Sequence, residues 1–427
     1  MECRSFRPVE AQSLSYFEPE YLAALDEIFH SDWVARKLVH INNLRQEIQT
    51  FWPNGHPAKL IMLTGTNGKG SFAFALEQMC RSRFKMGLWI GPHVFDYAER
   101  IRVNGVNVSH DEIADMYWTH IRPVQERRIN HRELPLTFAE MGILMALMMF
   151  DRHRVQWAVM EVGAGGRYAP LNALDFAAMV VTNIGNDHPK TLGRYWWQRA
   201  LEKVGIARQS VPLFTGAPDL QLPFVRKIAA CTQVYQANDR CIQWARQCDA
   251  TEHRVETLAL AATLAQWMGV TLTDSPAVKW EEPPARYQWH TPQILLDMAH
   301  NRDKISALVA RLQMQRPDCK VHALIGLSRD RDPRQVFEPL FQLDLQRIVV
   351  TSASYAGVPP DDLAMQISDL FPKVQVQPDP ERALADLTAE LPHDHMILVT
   401  GSAYLIDQAM NPNLFVKESN ASFGRRL

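Results

Sequence analysis

A glycine-rich segment at residues 64–71, with the sequence TGTNGKGS, holds the residue types that bind the phosphates of a nucleotide. It follows the apolar run Lys59–Thr64 and precedes a helical pattern, so we expect a strand, a loop and a helix in that order. Glycines let a phosphate approach the backbone closely, and the N–H groups at the start of a helix attract anions. Lys69 could reach the terminal phosphates, and the Ser71 hydroxyl could ligate Mg²⁺. The residues of this segment predicted to bind ATP are Gly65, Thr66, Asn67, Gly68, Lys69, Gly70 and Ser71.

The spacing of this segment departs from the common phosphate-loop pattern G-x-x-x-x-G-K-[ST]. Gly65 and Gly68 are three residues apart, and Gly70 separates the lysine from the serine. The alternative interpretation is therefore a glycine-rich turn between a strand and a helix, with an exposed lysine.

Two polar residues follow later apolar runs, at positions where open α/β sheets bind ligands. Glu161 lies near the end of the run 155–162, and His188 comes soon after the run 177–184. A carboxylate beside a phosphate loop is a typical ligand of Mg²⁺, which prefers oxygen. The alternative is that both side chains are solvated loop residues.

Strand and helix patterns alternate along the chain, which is typical of parallel sheets covered by helices. The pattern breaks between Thr271 and Arg286, where prolines and mixed charges replace periodicity. The predicted fold class is α/β, with a P-loop-containing, parallel-sheet ATPase domain followed by a smaller, doubly wound, Rossmann-like domain. We assign residues 1–280, including an N-terminal extension, to the first domain and residues 281–427 to the second.

The composition excludes several classes of protein. The chain has 427 residues, of which 45 are basic, 47 are acidic and 47% are hydrophobic. This near-neutral balance predicts no binding to nucleic acid or to an anionic membrane, and no apolar run approaches the roughly 20 residues of a membrane span. The six cysteines form no C-x-x-C pair and the N-terminus shows no secretory signal, which together predict a cytoplasmic protein.

The variant spacing of TGTNGKGS resembles the nucleotide loop of the Mur ligase superfamily, and within it that of folylpolyglutamate and dihydrofolate synthases. A second element, GPHV at residues 91–94 followed by ERIRVNG at 99–105, resembles the S-P-H-L…E-R-I-R-V-N-G signature of these folate enzymes. The resemblance continues from about residue 25 to residue 410. Further elements in the order of the family are TFAE (137–140), EVGAGGR (161–167), TNIGNDH (182–188), EKVGI (202–206), PAR (284–286), DMAHN (297–301), GLSRDRD (326–332) and VTGS (399–402).

The resemblance implies a monomer that transfers a phosphoryl group from ATP to a substrate carboxylate. The amine of an amino acid, glutamate in the family, then attacks the acyl phosphate. Lys203 would carry CO₂ as a carbamate, which turns a cation into an oxygen-donating anion near the metal.

Site residues follow from the same resemblance, by role. The implied catalytic residues are Lys69, His188 and Lys203. The implied Mg²⁺ ligands are Ser71, Glu161, His188 and Lys203. The implied ATP contacts of the second domain are Arg286, Asp297 and His300. The implied acceptor contacts are His93, Phe138, Glu140, Arg167 and Asn172.

Three departures from the family pattern fall at positions that the resemblance assigns to ligand recognition. In folate enzymes G-G-R continues as L-D-A-T-N, and its aspartate contacts the pterin ring, whereas this chain has Ala169. An unpaired buried donor of the pterin would cost on the order of 1–3 kcal/mol. Thr257 stands where the family has an adenine-reading asparagine, and Gly91 replaces the serine of S-P-H.

We therefore predict an ATP-dependent carboxylate–amine ligase that adds glutamate to a small-molecule carboxylate, which is either folate-like or altered. Two alternatives stay open: a nucleotide-binding pseudoenzyme of the same fold that acts as a regulatory or partner protein, and a P-loop kinase or plain ATPase. Product mass separates a kinase from a ligase, because a kinase adds phosphate and a ligase adds an amino-acid residue.

Overall fold

The computed structural model describes residues 18–31, 38–248, 251–272, 280–353 and 356–410. These residues form two compact units, one with residues 18–93 and 97–282 (the N-terminal unit) and one with residues 94–96 and 283–410 (the C-terminal unit). Parts of the predicted N-terminal extension and of the break between Thr271 and Arg286 lie outside the described residues.

The N-terminal unit contains a mixed sheet and eleven described helices. Its strands are Lys59–Thr64 (β1), Met86–Trp89 (β2), Ile101–Val103 (β3), Val106–Asn107 (β4), Trp157–Glu161 (β5), Ala178–Val181 (β6), Leu213–Thr215 (β7) and Val234–Tyr235 (β8). Its helices are Pro19–Phe29 (α1), Leu38–Phe51 (α2), Lys69–Cys80 (α3), His110–Met116 (α4), Arg122–Asn130 (α5), Phe138–Arg152 (α6), Pro189–Leu192 (α7), Trp196–Val204 (α8), Leu222–Ile228 (α9), Asp239–Cys248 (α10) and Glu252–Trp267 (α11).

The strand order β4-β3-β2-β5-β1-β6-β7-β8 places β1 in the middle of the sheet, between β5 and β6. All pairings are parallel except those of β3 with β2 and with β4. In the parallel register, Leu63 lies opposite Glu161 and Thr64 lies opposite Val181. The carboxyl ends of these three strands therefore meet at one edge, where α/β sheets bind ligands.

Burial explains why the central strands form. Every residue of β5, and every residue of β1 after Lys59, is buried, as expected of a parallel strand covered on both faces. Helix α3 packs Phe72 and Leu76 into the same core. Helix α6 carries the longest apolar run of the chain and is buried from Met141 to Phe150. No helix in the described parts of the chain is long and apolar enough to cross a membrane.

Two helices of this unit begin with the same capping motif. Ser109 and Glu112 exchange side-chain and backbone hydrogen bonds at the start of α4, and Thr137 and Glu140 do so at the start of α6. In both motifs the hydroxyl accepts from the third helical N–H, and the glutamate accepts from the capping residue's N–H, so donors that the helix cannot bond are satisfied.

The C-terminal unit contains a six-stranded sheet with helices on both faces. Its strands are Gln288–Thr291 (β9), Ile294–Asp297 (β10), Lys320–Ile325 (β11), Asp344–Val350 (β12), Val374–Val376 (β13) and His395–Thr400 (β14). Its helices are Arg302–Gln315 (α12), Pro333–Phe337 (α13), Pro360–Ile367 (α14), Pro380–Ala389 (α15) and Ala403–Met410 (α16).

The order β13-β12-β11-β14-β10-β9 is parallel except for the edge strand β9. Successive residues of β10 enter different cores, since Leu295 packs with Ile305 of α12 and Leu296 packs with Leu405 of α16. This alternation is what a sheet covered on both faces requires. The predicted α/β fold class, with a smaller doubly wound second part, is confirmed.

Candidate functional site

The segment 64–71, which we call the phosphate loop after its predicted ligand, follows a path fixed by two glycines. Gly65 has φ +146°, and a Cβ atom there would lie 1.9 Å from Thr182 Oγ1. Gly68 caps α3 in the left-handed conformation, with φ 78°. A Cβ atom on Gly68 would lie 3.1 Å from Oγ1 of Thr257 in α11. The loop therefore needs glycine at both positions, and it leads directly into the N-terminus of α3.

Residues after β6 hold this loop by hydrogen bonds. The Asn183 Oδ1 atom accepts from the N–H groups of Thr66 (3.2 Å) and Asn67 (2.9 Å), and Thr182 Oγ1 donates to Asn67 O at 2.6 Å. Gly185 N donates to Thr66 Oγ1 at 2.9 Å. These bonds preorganise the backbone of the loop before any ligand binds.

Two lysines and a glutamate meet at the first turn of the loop. Lys69 Nζ and Lys203 Nζ donate to the same carbonyl oxygen, Gly65 O, at 3.2 and 3.0 Å. Glu161 Oε1 lies 3.7 Å from Lys69 Nζ, and Glu161 Oε2 accepts from Gly91 N at 3.2 Å. The Lys203 side chain is buried and Glu161 is 6% exposed, so these charges are only weakly screened by water. Two lysine side chains and one carboxylate thus surround the first turn of the loop.

His188 lies on a short segment between β6 and α8. It has φ 51° and ψ 49°, and its Nε2 atom is 3.9 Å from Oδ2 of the buried Asp187. Arg199 of α8 supports this segment from within the protein, because Nε donates to Gly185 O (2.8 Å) and Nη1 donates to Gly193 O (3.0 Å) and Arg194 O (2.8 Å). Burial lowers the pKa of the Arg199 guanidinium, and the charge of Asp187 opposes that shift.

Two of the predicted magnesium ligands, Ser71 and Glu161, carry the oxygen atoms that Mg²⁺ prefers. The Glu161 carboxylate and Ser71 hydroxyl are hard oxygen donors, and Mg²⁺ commonly combines one or two such groups with phosphate oxygens. The described residues contain no cluster of three or more His, Cys, Asp or Glu side chains that could hold a metal ion. Mg²⁺ held by Ser71 and Glu161 would need phosphate oxygens of a nucleotide as further ligands. Lys203 as an ammonium has no lone pair to offer, so its predicted ligand role depends on a carbamate.

The loop that follows β5 is wound around Asn172. Asn172 Nδ2 lies within hydrogen-bond distance of three carbonyl oxygens, those of Gly166 (2.6 Å), Arg167 (3.2 Å) and Ala169 (3.1 Å). At its start, Gly165 O accepts a hydrogen bond from Thr64 Oγ1 at the end of β1. We call residues 163–172 the acceptor loop. Asn172, predicted to contact the acceptor, uses its amide to hold this loop, whereas Arg167 is exposed and its guanidinium lies over the Tyr168 ring.

His93 and Phe138 belong to an aromatic group around Arg100. The Arg100 guanidinium lies 5.0 Å from the centroid of the Phe138 ring, and Arg100 Nε donates to His93 Nδ1 at 2.7 Å. Phe29 of α1 stacks on Phe138 and meets His93 edge-on. Phe138 is 6% exposed and His93 is partly exposed.

Glu140, the remaining predicted acceptor contact, is fully buried in the capping motif of α6. Its Oε2 atom accepts from Thr137 N (2.8 Å) and Thr137 Oγ1 (2.6 Å), and it lies 3.3 Å from His40 Nδ1. Burial raises the pKa of Glu140, while its bonds to Thr137 and the charge of His40 oppose the shift. The structure thus gives Glu140 a role in starting α6.

In the C-terminal unit, the predicted ATP contacts cluster at the end of β10. Asp297 Oδ2 accepts from Tyr287 N at 2.8 Å and Oδ1 accepts from Ala299 N at 2.9 Å. Desolvation raises the pKa of Asp297, and the hydrogen bond from Tyr287 and the charge of Arg286 oppose it. His300 Nδ1 lies 2.9 Å from Met298 O and its Nε2 lies 3.0 Å from Lys304 Nζ.

Comparisons with known proteins agree with the motifs. Residues 285–403 match the family model described as Mur ligase, glutamate ligase domain. A dihydrofolate synthase/folylpolyglutamate synthase of Bacillus subtilis is 24% identical over 396 residues, which are 82% of this chain and 90% of the relative. The enzyme of the same name from Escherichia coli is 28% identical over 302 residues, 65% of this chain and 69% of the relative.

A solved structure supports the fold. The bifunctional folylpolyglutamate synthase/dihydrofolate synthase of Yersinia pestis, complexed with AMPPNP and Mn ion, matches with a TM-score of 0.74 and 22% identity over 91% of this chain and 97% of that one. The chain is similar to folylpolyglutamate synthases/dihydrofolate synthases. Both the predicted resemblance and the predicted class of enzyme, a ligase, are confirmed.

Two residues near the site escape prediction from the sequence. Asn183 lies inside the TNIGNDH element, and its amide arranges the phosphate loop. Arg199 lies in α8 and is buried, but the first residues of this helix are exposed and give no sign of that burial. A charged residue on the buried side of an amphipathic helix is the one signal that points to Arg199.

Proposed function

We propose that this protein joins glutamate to the carboxylate of a small-molecule acceptor, with cleavage of ATP to ADP and phosphate. The observation that carries the proposal is the convergence of Lys69 and Lys203 on Gly65 O beside Glu161, at the N-terminus of α3. The glutamate ligase domain matched by residues 285–403 supports glutamate as the added amino acid.

In the first step, an oxygen of the acceptor carboxylate attacks the γ-phosphorus of ATP. The bond from this phosphorus to the bridging oxygen breaks, and ADP leaves with that electron pair. The backbone N–H groups at the start of α3 hold the phosphates, and Lys69 stabilises negative charge on the transferred group. Thr66 and Asn67 are already fixed by Asn183, so little reorganisation is needed when ATP binds.

In the second step, the amine of glutamate attacks the acyl carbon. The carbon–oxygen bond to phosphate breaks, inorganic phosphate leaves, and the amine loses a proton to form the amide. His188 is the side chain that we assign to this proton, because it lies beside the buried carboxylate of Asp187, which stabilises an imidazolium.

Mg²⁺ would be held by Ser71 and Glu161, and when bound it supplies charge neutralisation for the phosphate oxygens. The Mn ion in the Yersinia pestis structure supports a divalent metal in this role. Lys203 is a candidate for carbamylation, because burial favours the neutral amine that reacts with CO₂. For Arg286, Asp297 and His300 of the C-terminal unit, the roles in ATP binding that the resemblance implies stay predictions.

The acceptor is proposed to differ from a pterin. Ala169 is 5% exposed, so the position of the family's pterin-binding aspartate is occupied here by a buried methyl group. In the T-x-F-E element the aromatic position is taken by Ala139, while Phe138 precedes it. The loss of the carboxylate removes an acceptor for the donors of a pterin and leaves the phosphate loop unchanged.

The test is ADP release by the purified full chain with Mg²⁺, ATP and glutamate, measured separately with dihydropteroate, tetrahydrofolate and a panel of other carboxylic acids. We expect glutamate-dependent ADP release with an acid outside the folates, and a product mass equal to the acid plus one glutamyl residue. Turnover of a pteroate or folate at a comparable rate would contradict the altered acceptor, and a phosphorylated product would identify a kinase.

Lys69→Met is the matched control, since it removes the charge from the loop and keeps a long apolar stem. ADP release should fall by about 100-fold, because one electrostatic contact to the transferred group is lost. Absence of glutamate-dependent ADP release from the wild-type chain with every acid, together with retained ATP binding, would favour the pseudoenzyme.

A further inference from the structure

Two arginines from distant parts of the sequence meet at Asn172 of the acceptor loop. Arg45 Nη2, from α2, donates to Asn172 O at 3.1 Å. Arg208 Nη2 donates to Asn172 Oδ1 at 2.7 Å and lies 3.4 Å from the same Asn172 O. Both guanidinium groups therefore lie near the same carbonyl oxygen.

The partners of this pair are neutral. Within the described residues, Arg45 bonds the Asn42 amide oxygen (3.2 Å) and Asn172, Arg208 bonds only Asn172, and neither forms an ion pair with a carboxylate. Burial and the charge of Arg45 lower the pKa of Arg208, while the charge of the exposed Asp175 opposes that shift. Two like charges are thus held together, and one of them is partly removed from water.

Such an arrangement costs free energy unless an anion lies between the charges. Each guanidinium has five N–H donors in a planar fork that matches a carboxylate or a phosphate, and the bonds to Asn172 use only one nitrogen of each group. Arg45 is exposed and Arg208 is half-buried, so a solute can reach the remaining donors.

The position of the pair relates it to the acceptor. Asn172 closes the same loop that begins beside Thr64 and contains Ala169, where the acidic side chain of the family is lost. Loss of a carboxylate from the loop and two arginines against the loop both favour a ligand that carries negative charge instead of hydrogen-bond donors.

We propose that Arg45 and Arg208 bind a second anionic group of the acceptor, which would make the acceptor a dicarboxylic acid: one carboxylate reacts at the phosphate loop and the other is held by the arginines. This inference rests on the proposed function in one respect, namely that the bound anion belongs to the acceptor. The existence of the anion site can be tested without turnover.

The turnover arm compares monocarboxylic and dicarboxylic acids of matched length in the ADP-release assay. In Arg45→Gln and Arg208→Gln, the KM for the dicarboxylic acids should rise by about tenfold, since a charge-assisted contact is lost, while kcat and the KM for monocarboxylic acids change less than twofold. Arg226→Gln, at an exposed arginine of α9, is the matched control and should leave all values unchanged.

The binding arm uses calorimetric titration of the full chain with a dicarboxylate and with inorganic phosphate in the absence of ATP. Weaker binding of the dicarboxylate in Arg45→Gln than in Arg226→Gln supports the site even if no acid is turned over. The proposal would be overturned by equal binding of the dicarboxylate to the wild type, Arg45→Gln and Arg226→Gln. It would also be overturned by an equal increase in KM for both kinds of acid, or by binding of phosphate but not of the dicarboxylate. Should Arg208→Gln fail to fold, Arg208→Lys and the exposed Arg45→Gln decide it.

Discussion

The phosphate loop and the acceptor loop begin side by side at the ends of β1 and β5, yet they are built in different ways. In the phosphate loop, Gly65 and Gly68 set the path, and almost any side chain at Gly65 would collide with Thr182. In the acceptor loop, Gly163 has open space around it, and the path depends on one side chain, that of Asn172. In the proposed function, the first loop presents its backbone to the ligand, and the second presents side chains.

This difference explains where the sequence keeps the pattern of the ligase family and where it departs. A phosphate is bound by N–H groups that every residue possesses, so the loop tolerates little change in geometry. A pterin or another acceptor is recognised by side chains, and these can change while Asn172 holds the loop. The substitution at Ala169 is therefore compatible with an intact catalytic centre.

Alanine at Gly65 should break the first loop. Gly65→Ala places a methyl group 1.9 Å from Thr182 Oγ1 at a φ of +146°, so the backbone must shift. We expect ATP affinity, measured by calorimetry, to fall on the order of 100-fold. Gly163→Ala is the matched control in the acceptor loop and should bind ATP with wild-type affinity. Equal losses of ATP affinity in both variants would contradict the difference between the two loops.

Arg199→Met should loosen the segment that carries His188. The variant leaves three carbonyl oxygens, those of Gly185, Gly193 and Arg194, without their buried donor. We expect kcat to fall by about tenfold and the free energy of unfolding by about 2 kcal/mol, with ATP affinity changed much less. Arg199→Lys keeps the charge but loses the planar set of N–H donors of the guanidinium group, so its kcat should lie between those of wild type and Arg199→Met. A purely structural role would predict unchanged kcat in the folded fraction.

Asn172→Ala should disturb the acceptor loop alone. The change removes the amide that bonds Gly166, Arg167 and Ala169, and it leaves Arg208 without its side-chain acceptor. We expect the KM for the acceptor to rise severalfold and the free energy of unfolding to fall by about 2 kcal/mol in chemical denaturation. ATP affinity should stay within twofold of the wild-type value, and a larger change would show that the two loops are not independent.

Ala169→Asp should give the smallest effect and the most specific one. It restores the carboxylate of the folate enzymes at a position that is 5% exposed. We expect a threefold to tenfold gain in the rate with dihydropteroate, since a bond to a charged group contributes roughly 1.5–3 kcal/mol, part of which the burial of the carboxylate offsets. Ala169→Asn controls for size, and no gain over it would mean that other residues exclude the pterin.

Sequence patterns predict the elements that are buried and regular. The apolar run Lys59–Thr64 predicts β1 with its observed limits, because hydrophobic burial alone decides that strand. The short strands β7 and β8 have three and two residues and are missed. So few residues cannot show the alternation of apolar and polar side chains by which a strand is predicted. The helix expected after the loop is confirmed as α3, which begins at Lys69 and ends at Cys80.

The site could be predicted in part. The family resemblance brings Lys69, Glu161 and Lys203 into one prediction, and the structure places these three side chains together. Their assigned roles in catalysis and metal binding stay predictions. Glu140 shows what a motif alone leaves open, since TFAE also fits the capping pattern S/T-x-x-E, and only the fold shows how deeply the carboxylate is buried.

The two capping motifs have opposite consequences for proton-linked stability. At Glu112 burial acts to raise the pKa, but hydrogen bonds from Ser109 and His153 lower it below its usual value, so this carboxylate stabilises the fold above that value and loses the contribution as the pH falls. At Glu140 burial prevails and raises the pKa, so its contribution is greatest in acid and declines as the pH rises through the shifted value. One four-residue pattern thus tunes two helix starts to resist opposite changes of acidity.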